Sequence, residues 1–221
     1  ETDDRDFIVV SHGHTSPGVY SVLGRLGFFD IESAIALFRK AKSPYEGHIE
    51  RHLKGVDWST GNLGQGLSAG CGFAISSKLK KKDSYVFVVM GDGEQQKGQI
   101  TEARRFAKKF DLDNLFAVVD LNKLQISGSI DSVMKQNIKE NYLSDGWNVY
   151  ETDGHNFEEI YSVVRKAISE KGPALILAHT VMGKGVSFME NVKDYHGKAL
   201  TREQYEKAVL ELGCESVLDY Y

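Results

Sequence analysis

Between residues 85 and 181 the chain alternates short apolar runs with longer amphipathic ones, and this alternation restricts the fold more than any other feature. Val86-Phe87-Val88-Val89-Met90 has no polar position. A strand with one face in water alternates apolar and polar residues, so a run of this kind belongs to a sheet covered on both faces, which is the habit of parallel sheets. The spacing predicts a strand over Tyr85 to Met90, a helix over Gln99 to Phe110, a strand over Leu115 to Leu121 and helical pieces to Leu143. It then predicts a strand over Trp147 to Glu151, a helix over Asn156 to Glu170 and a strand over Ala174 to Val181. The pattern is that of an α/β fold, a doubly wound, mostly parallel sheet with helices on both faces.

Upstream, Ser16-Pro17 offers an N-cap and a proline at the first helical position, and Val19, Val22, Leu23 and Leu26 repeat at helical spacing until Gly27. Asp30 caps a second predicted helix through Lys40, with Ile31, Ala34, Ile35 and Phe38 on one face. Residues 41 to 65, punctuated by Pro44, Gly47, Gly55, Gly61 and Gly64, read as a loop long enough to carry function. Leu67 to Lys82 reads as a helix opening from Gly64 and Gly66, and a helix N-terminus rising from a glycine-rich loop suits an anion. After Met182 a loop runs to about Leu200, and Thr201-Arg202-Glu203-Gln204 is a capping box that starts a helix to Leu212. With 221 residues and no internal repeat or linker, one domain over 1–221 is expected.

Twenty-seven basic residues against 31 acidic ones give a net charge of −4, which argues against a nucleic-acid surface. Cys71 and Cys214 stand far apart, fitting neither a disulfide framework nor a cysteine zinc site, and suit a reducing cytoplasm. The acidic start does not resemble a signal segment, and no apolar run is long enough to span a bilayer, so no membrane partner is expected.

Gly91-Asp92-Gly93 follows a predicted strand and precedes a helix, at the carboxyl edge where doubly wound sheets bind ligands, and Asn122 ends the next strand at the same edge. The Asp92 carboxylate, the Asn122 amide oxygen and the Leu124 carbonyl are hard oxygens that suit Mg²⁺, which shares its other positions with water and phosphates. Asp-Gly is also a common turn in a chain with 22 glycines, so the position at two strand ends carries the weight. Of seven histidines, His14, His48 and His196 sit beside glycines that expose them, and imidazole titrates in the range that proton exchange with hydroxyls needs. His12, His52, His155 and His179 are read as surface or core residues, and His48-Ile49-Glu50-Arg51-His52 lacks the order of a helical zinc motif.

Gly91-Asp92-Gly93, 28 residues and Asn122 together resemble the thiamine diphosphate motif. Further blocks are similar to the diphosphate-binding domain of transketolases, in the family's order: Ser11-His12-Gly13-His14, Gly47-His48, Ser59-Thr60-Gly61-Asn62-Leu63-Gly64-Gln65-Gly66, Met182 to Glu190, and Tyr195-His196-Gly197. The likeness in length and ending is to the separately encoded N-terminal subunits of split transketolases. It implies thiamine diphosphate and Mg²⁺, with Ca²⁺ or Mn²⁺ as substitutes, and metal ligands Asp92, Asn122 and the Leu124 carbonyl. It implies cofactor contacts at His14, Gly61, Leu63, Gly91, Asp92, Gly93, Glu94, Asn122, Leu124 and His196. Catalytic roles fall on His14, His48 and His196 toward sugar phosphates, and on Glu102 as a link between paired cofactor sites.

The same resemblance implies that the family's N-terminal helices and pyrimidine-binding domain lie outside this chain. The partner is then a C-terminal, pyrimidine-binding transketolase subunit, in a complex with two copies of each chain. Lys97 stands where the family generally has glutamate, and is expected either to pair with Glu94, Glu102 or an acidic residue of the partner, or to lie in solvent. Gly13 to Tyr20 is also similar to a stretch of homodimeric pyruvate dehydrogenase E1 components, which keeps a 2-oxo-acid decarboxylase as the alternative activity. A non-catalytic thiamine-diphosphate-binding subunit is the other alternative.

Overall fold

The computed structural model describes residues 4–214. In chain order its elements are β1 (Phe7–Val10), α1 (Ser16–Arg25), α2 (Ile31–Leu37), α3 (Gly66–Leu79), β2 (Val86–Gly91), α4 (Gly98–Lys109) and β3 (Leu115–Leu121). There follow β4 (Leu124–Gln125), β5 (Gly128–Ser129), α5 (Ile130–Met134), α6 (Ile138–Ser144), β6 (Asn148–Asp153), α7 (Phe157–Ser169), β7 (Ala174–His179) and α8 (Arg202–Leu212). The central sheet has the order β1-β2-β3-β7-β6, with every neighbouring pair parallel.

Strand order dictates where the helices lie. From β1 to β3 the chain steps in one direction, β6 is placed two positions beyond β3, and β7 returns into the gap. Right-handed crossovers made in opposite directions put their helices on opposite faces. Accordingly Leu67, Cys71 and Ala74 of α3, Ile100, Ala103 and Ala107 of α4, and Tyr142 of α6 share one core with Val86, Val88, Met90, Leu115, Val119 and Leu177. On the other face Val163, Val164, Ala167 and Ile168 of α7 meet Phe116, Ala174 and Ile176. A third cluster joins Tyr20 of α1, Ala34 of α2, and Tyr45, Ile49 and Leu53 of the following loop. Gly70 lets α3 lie directly on β2, since a methyl group there would collide with the Val88 side chain.

The expectation of apolar strands covered on both faces holds fully for β7, buried from Ala174 to Ala178, and half-way for β2. Val86, Val88 and Met90 are fully buried while Phe87 and Val89 are half-buried, and Ile8 on the neighbouring edge strand is 57% exposed. Three local expectations differ from the structure. β1 has no counterpart among the predicted strands, because four residues behind an acidic segment carry too little periodicity. The second helix ends at Leu37 and not Lys40, because Phe38 turns extended and Arg39 takes a φ of 56°. The stretch after Asn122, expected to be helical, begins with the β4-β5 hairpin, in which Gly128 has a φ of 146°. The capping box at Thr201 is present in both its halves. Among the described residues no helix is long and apolar enough to cross a membrane.

Candidate functional site

Parallel strands bring all their carboxyl ends to one edge, and the chain reverses its winding between β3 and β7, which is where such sheets open a crevice. A cavity of about 610 Å³ lies there. His12 and His14 enter it after β1, Gly91 to Glu94 and Lys97 from the end of β2 onward, Asp120 from the end of β3, Asn122 and Leu124 just beyond it, and Leu63, Met182, Tyr195 and His196 from loops. A second cavity of about 420 Å³, between α5, α6 and β6, contains none of the residues singled out from the sequence.

Asp92 is 2% exposed. Its Oδ2 accepts the Lys123 N–H at 2.5 Å, and its own N–H donates to the Asp120 carbonyl at 3.2 Å. Burial pushes its carboxyl up to about 6, and the charge of Asp120, of the same sign, pushes the same way. Lys123 has a φ of 65°, a left-handed conformation uncommon outside glycine, which turns its N–H back toward β2. In the same turn the Asn122 Oδ1 accepts the Leu124 N–H at 2.8 Å, and its Nδ2 approaches Asp120 at 3.4 Å. The Thr180 hydroxyl donates to Asp120. Three oxygen-bearing groups, from Asp92, Asn122 and Leu124, thus line one wall.

Glu94, also 2% exposed, sits in the 3-10 turn Gly93–Gln96. Its Oε2 accepts the Ser11 hydroxyl at 2.5 Å and the Gly64 N–H at 2.6 Å, and its Oε1 accepts the Gly91 N–H at 2.9 Å. Ser11 in turn accepts the Gly66 N–H at 3.1 Å. One carboxylate therefore joins the ends of β1 and β2 to the start of α3. Burial raises its pKa, against the pull of the three donors. Gly64 has a φ of 85°, and a Cβ there would stand 2.7 Å from the Lys97 Cβ, so only glycine fits.

The histidine rings form an arc, with His12 and His14 at 5.9 Å and His14 and His196 at 5.7 Å between centroids. Burial first, then the charges of His12 and His196, lower the pKa of His14. The charge of His48 lowers the His14 pKa a little further, and its ring lies 3.6 Å from where a Cβ on Gly61 would stand.

Of the residues expected at the site, His14, Leu63, Gly91, Asp92, Gly93, Glu94, Asn122, Leu124 and His196 line the cavity, whereas His48, Gly61 and Glu102 do not. Glu102 is exposed on the outer side of α4. Sequence reasoning missed His12 and Asp120. Asp120 could have been found from its place two residues before Asn122 on the same face of the strand. His12 was read as a surface or core residue, because β1, the strand it follows, left no periodic signal.

Lys97 lies exposed at the rim, and among the described residues its ammonium pairs with neither Glu94 nor Glu102, the two partners within this chain that were expected for it. Its stem packs on Gly64. Lys97→Ala is expected to change folding stability by no more than about 0.5 kcal/mol. A loss above about 1 kcal/mol in urea denaturation would reveal an interaction of the ammonium that this geometry lacks.

The family described as "Transketolase, thiamine diphosphate binding domain" matches residues 1–220. The chain is 40% identical over 210 residues to one of the subunits of the apulose-4-phosphate transketolase of Phocaeicola vulgatus, covering 94% of this chain and 74% of that one. It is 38% identical over 212 residues to the 6-deoxy-6-sulfo-D-fructose transketolase subunit SqwG of a Clostridium strain, covering 95% and 77%. The transketolase of Campylobacter jejuni superposes with a TM-score of 0.92 at 31% identity over 99% of this chain. This chain spans 36% of the length of that enzyme. By family match, relatives and fold, the chain belongs to the transketolase family, as its thiamine diphosphate binding domain.

Proposed function

We propose that this chain is the diphosphate-binding half of a heteromeric transketolase, completed by a separate pyrimidine-binding chain in a complex with two copies of each. The observation that carries this reading is Asp92, a buried carboxylate whose neighbouring charge is another carboxylate. A divalent cation would offset that burial, and the donor set fits Mg²⁺, or Ca²⁺ or Mn²⁺ in its place: the Asp92 carboxylate, the Asn122 amide oxygen and the Leu124 carbonyl. The cation would in turn hold the diphosphate of thiamine diphosphate against Gly93.

Bound thiamine diphosphate supplies an electron sink for the carbanion chemistry of ketol transfer. The chain's own contribution is position and proton exchange. His14 and His196 line the cavity with rings close enough to share one ligand, so these two groups would hold or move protons at sugar hydroxyls, while His48, outside the cavity lining, would act on them through the charge by which it lowers the His14 pKa. Glu102, exposed on α4, is free to meet a second protomer. The substrates would be a ketose phosphate donor and an aldose acceptor. A separate partner is supported by the relatives named as transketolase subunits, and ketol transfer is favoured over 2-oxo-acid decarboxylation because those relatives are all transketolases by name. We place the complex in the cytoplasm, where Cys71, buried and with its thiol pushed up to about 12, would stay reduced.

The test is a ketol-transfer assay with thiamine diphosphate and Mg²⁺, run on this chain alone and mixed with a pyrimidine-binding transketolase chain encoded beside it. Turnover is expected only in the mixture. Turnover by the chain alone would remove the heteromeric reading, and cofactor binding without turnover in the mixture would leave a non-catalytic binding subunit.

A further inference from the structure

His12 enters the cavity from the end of β1 and is 9% exposed. Its Nδ1 lies 3.2 Å from the Val89 carbonyl oxygen, and a carbonyl oxygen only accepts, so Nδ1 carries the proton. Glu94 Oε1, 3.8 Å from the same nitrogen, puts a second acceptor on that side. The polar atom left to meet a ligand is Nε2. For Nε2 to carry a proton as well, the ring would have to be a buried cation. Three titratable groups face it: Glu94 from the turn after β2, Asp120 from β3, and His14 from its own turn. The carboxylates favour the cation, yet burial outweighs them and the pKa is lowered, leaving a neutral ring.

We propose that His12 is a hydrogen-bond acceptor of the cavity, presenting an unprotonated Nε2 to an O–H or N–H donor on the bound ligand. Such a nitrogen cannot donate to a phosphate, so the recognised atom is a sugar hydroxyl or an amine of the cofactor. His12 thus complements the wall of Asp92, which would hold the anionic part of the ligand through a cation. The ligand's identity rests on the transketolase reading, whereas the state of the ring does not.

Two measurements separate the two. In the full chain labelled with ¹⁵N-histidine and assigned against His12→Asn, long-range ¹H–¹⁵N correlation at neutral pH is expected to show the Nδ1–H tautomer with Nε2 bare. An Nε2–H tautomer or a doubly protonated ring overturns the proposal, whatever the enzyme does.

In the assembled complex, His12→Asn keeps a donor for the Val89 carbonyl and lacks the distal acceptor, whereas His12→Gln carries an amide oxygen out to about the Nε2 position. At equal thermal stability, His12→Asn is expected to lose about tenfold, in kcat/KM if the donor is a sugar hydroxyl or in thiamine diphosphate affinity by calorimetry if it is the cofactor amine. His12→Gln is expected to recover most of that loss. Native behaviour of His12→Asn in both readouts, or equal impairment of both variants, overturns the proposal. Failure of ketol transfer in the native complex would overturn the transketolase reading and leave the tautomer and the cofactor affinity still measurable.

Discussion

Asp92→Ala is expected to weaken thiamine diphosphate binding by about 100-fold or more, on the order of 3 kcal/mol, and to abolish its dependence on divalent cation. The reason lies in the balance at the end of β2. Asp92 is buried, accepts one backbone N–H, and faces the half-buried Asp120, so folding without a cation buries one carboxylate beside another. A bound divalent ion turns that cost into affinity, and deleting the carboxylate removes the charged oxygen from the proposed donor set. Calorimetry of the assembled complex with and without Mg²⁺ measures the loss.

The companion variant, Asp92→Asn, separates metal binding from folding. In chelator it is expected to melt at or above the temperature of the native chain, because it relieves an unpaired buried charge while keeping an acceptor for Lys123. With Mg²⁺ its melting temperature should no longer respond. Undiminished Mg²⁺-dependent affinity in Asp92→Ala would end the assignment of the metal to this wall.

Glu94→Ala is expected to destabilise the chain by about 3–5 kcal/mol, because three donors from three segments lose their acceptor in a buried place. For a chain of this size the thermal midpoint should fall on the order of 10 °C. Glu94→Gln is expected to recover only part of this, since its amide nitrogen must face either the Gly91 N–H or the Gly64 N–H. If both variants melt within about 2 °C of the native chain, the carboxylate does not hold these segments together.

Most of the fold could be read from residues 85 to 181, because parallel strands covered by helices have to be apolar and the helices between them have to be one-sided. The elements that escaped were short: β1, with four residues, and the β4-β5 hairpin, whose two-residue strands have no period to detect. Cavity-lining residues that follow long strands, such as Asp92 and Asn122, were legible from position. Glu94 was placed at the cavity by the family resemblance but its geometry was not, since nothing in Gly93-Glu94-Gln95 indicates that the side chain turns inward to Ser11 and Gly64. Glu102 and His48 could not be placed relative to the cavity, because the sequence leaves open which side of α4 faces outward at its start and how the loop of residues 41 to 65 folds back.

The carboxylate of Glu94 also has a kinetic consequence. It joins residues 83, 30 and 3 positions away in the chain, so its bonds close only when distant segments have already met. β1, which leads directly into Ser11 and His12, is a four-residue edge strand held by β2 alone within the sheet. Such a strand opens at lower cost than the strands inside the sheet. Undocking it would release Ser11 from Glu94, take His12 away from the Val89 carbonyl, and loosen the Gly66 amide, all in one event. The cavity wall and the first strand should therefore exchange their amide hydrogens as one cooperative unit, ahead of β2, β3 and β7, so that the site can dissolve and re-form while the sheet beneath it stays intact.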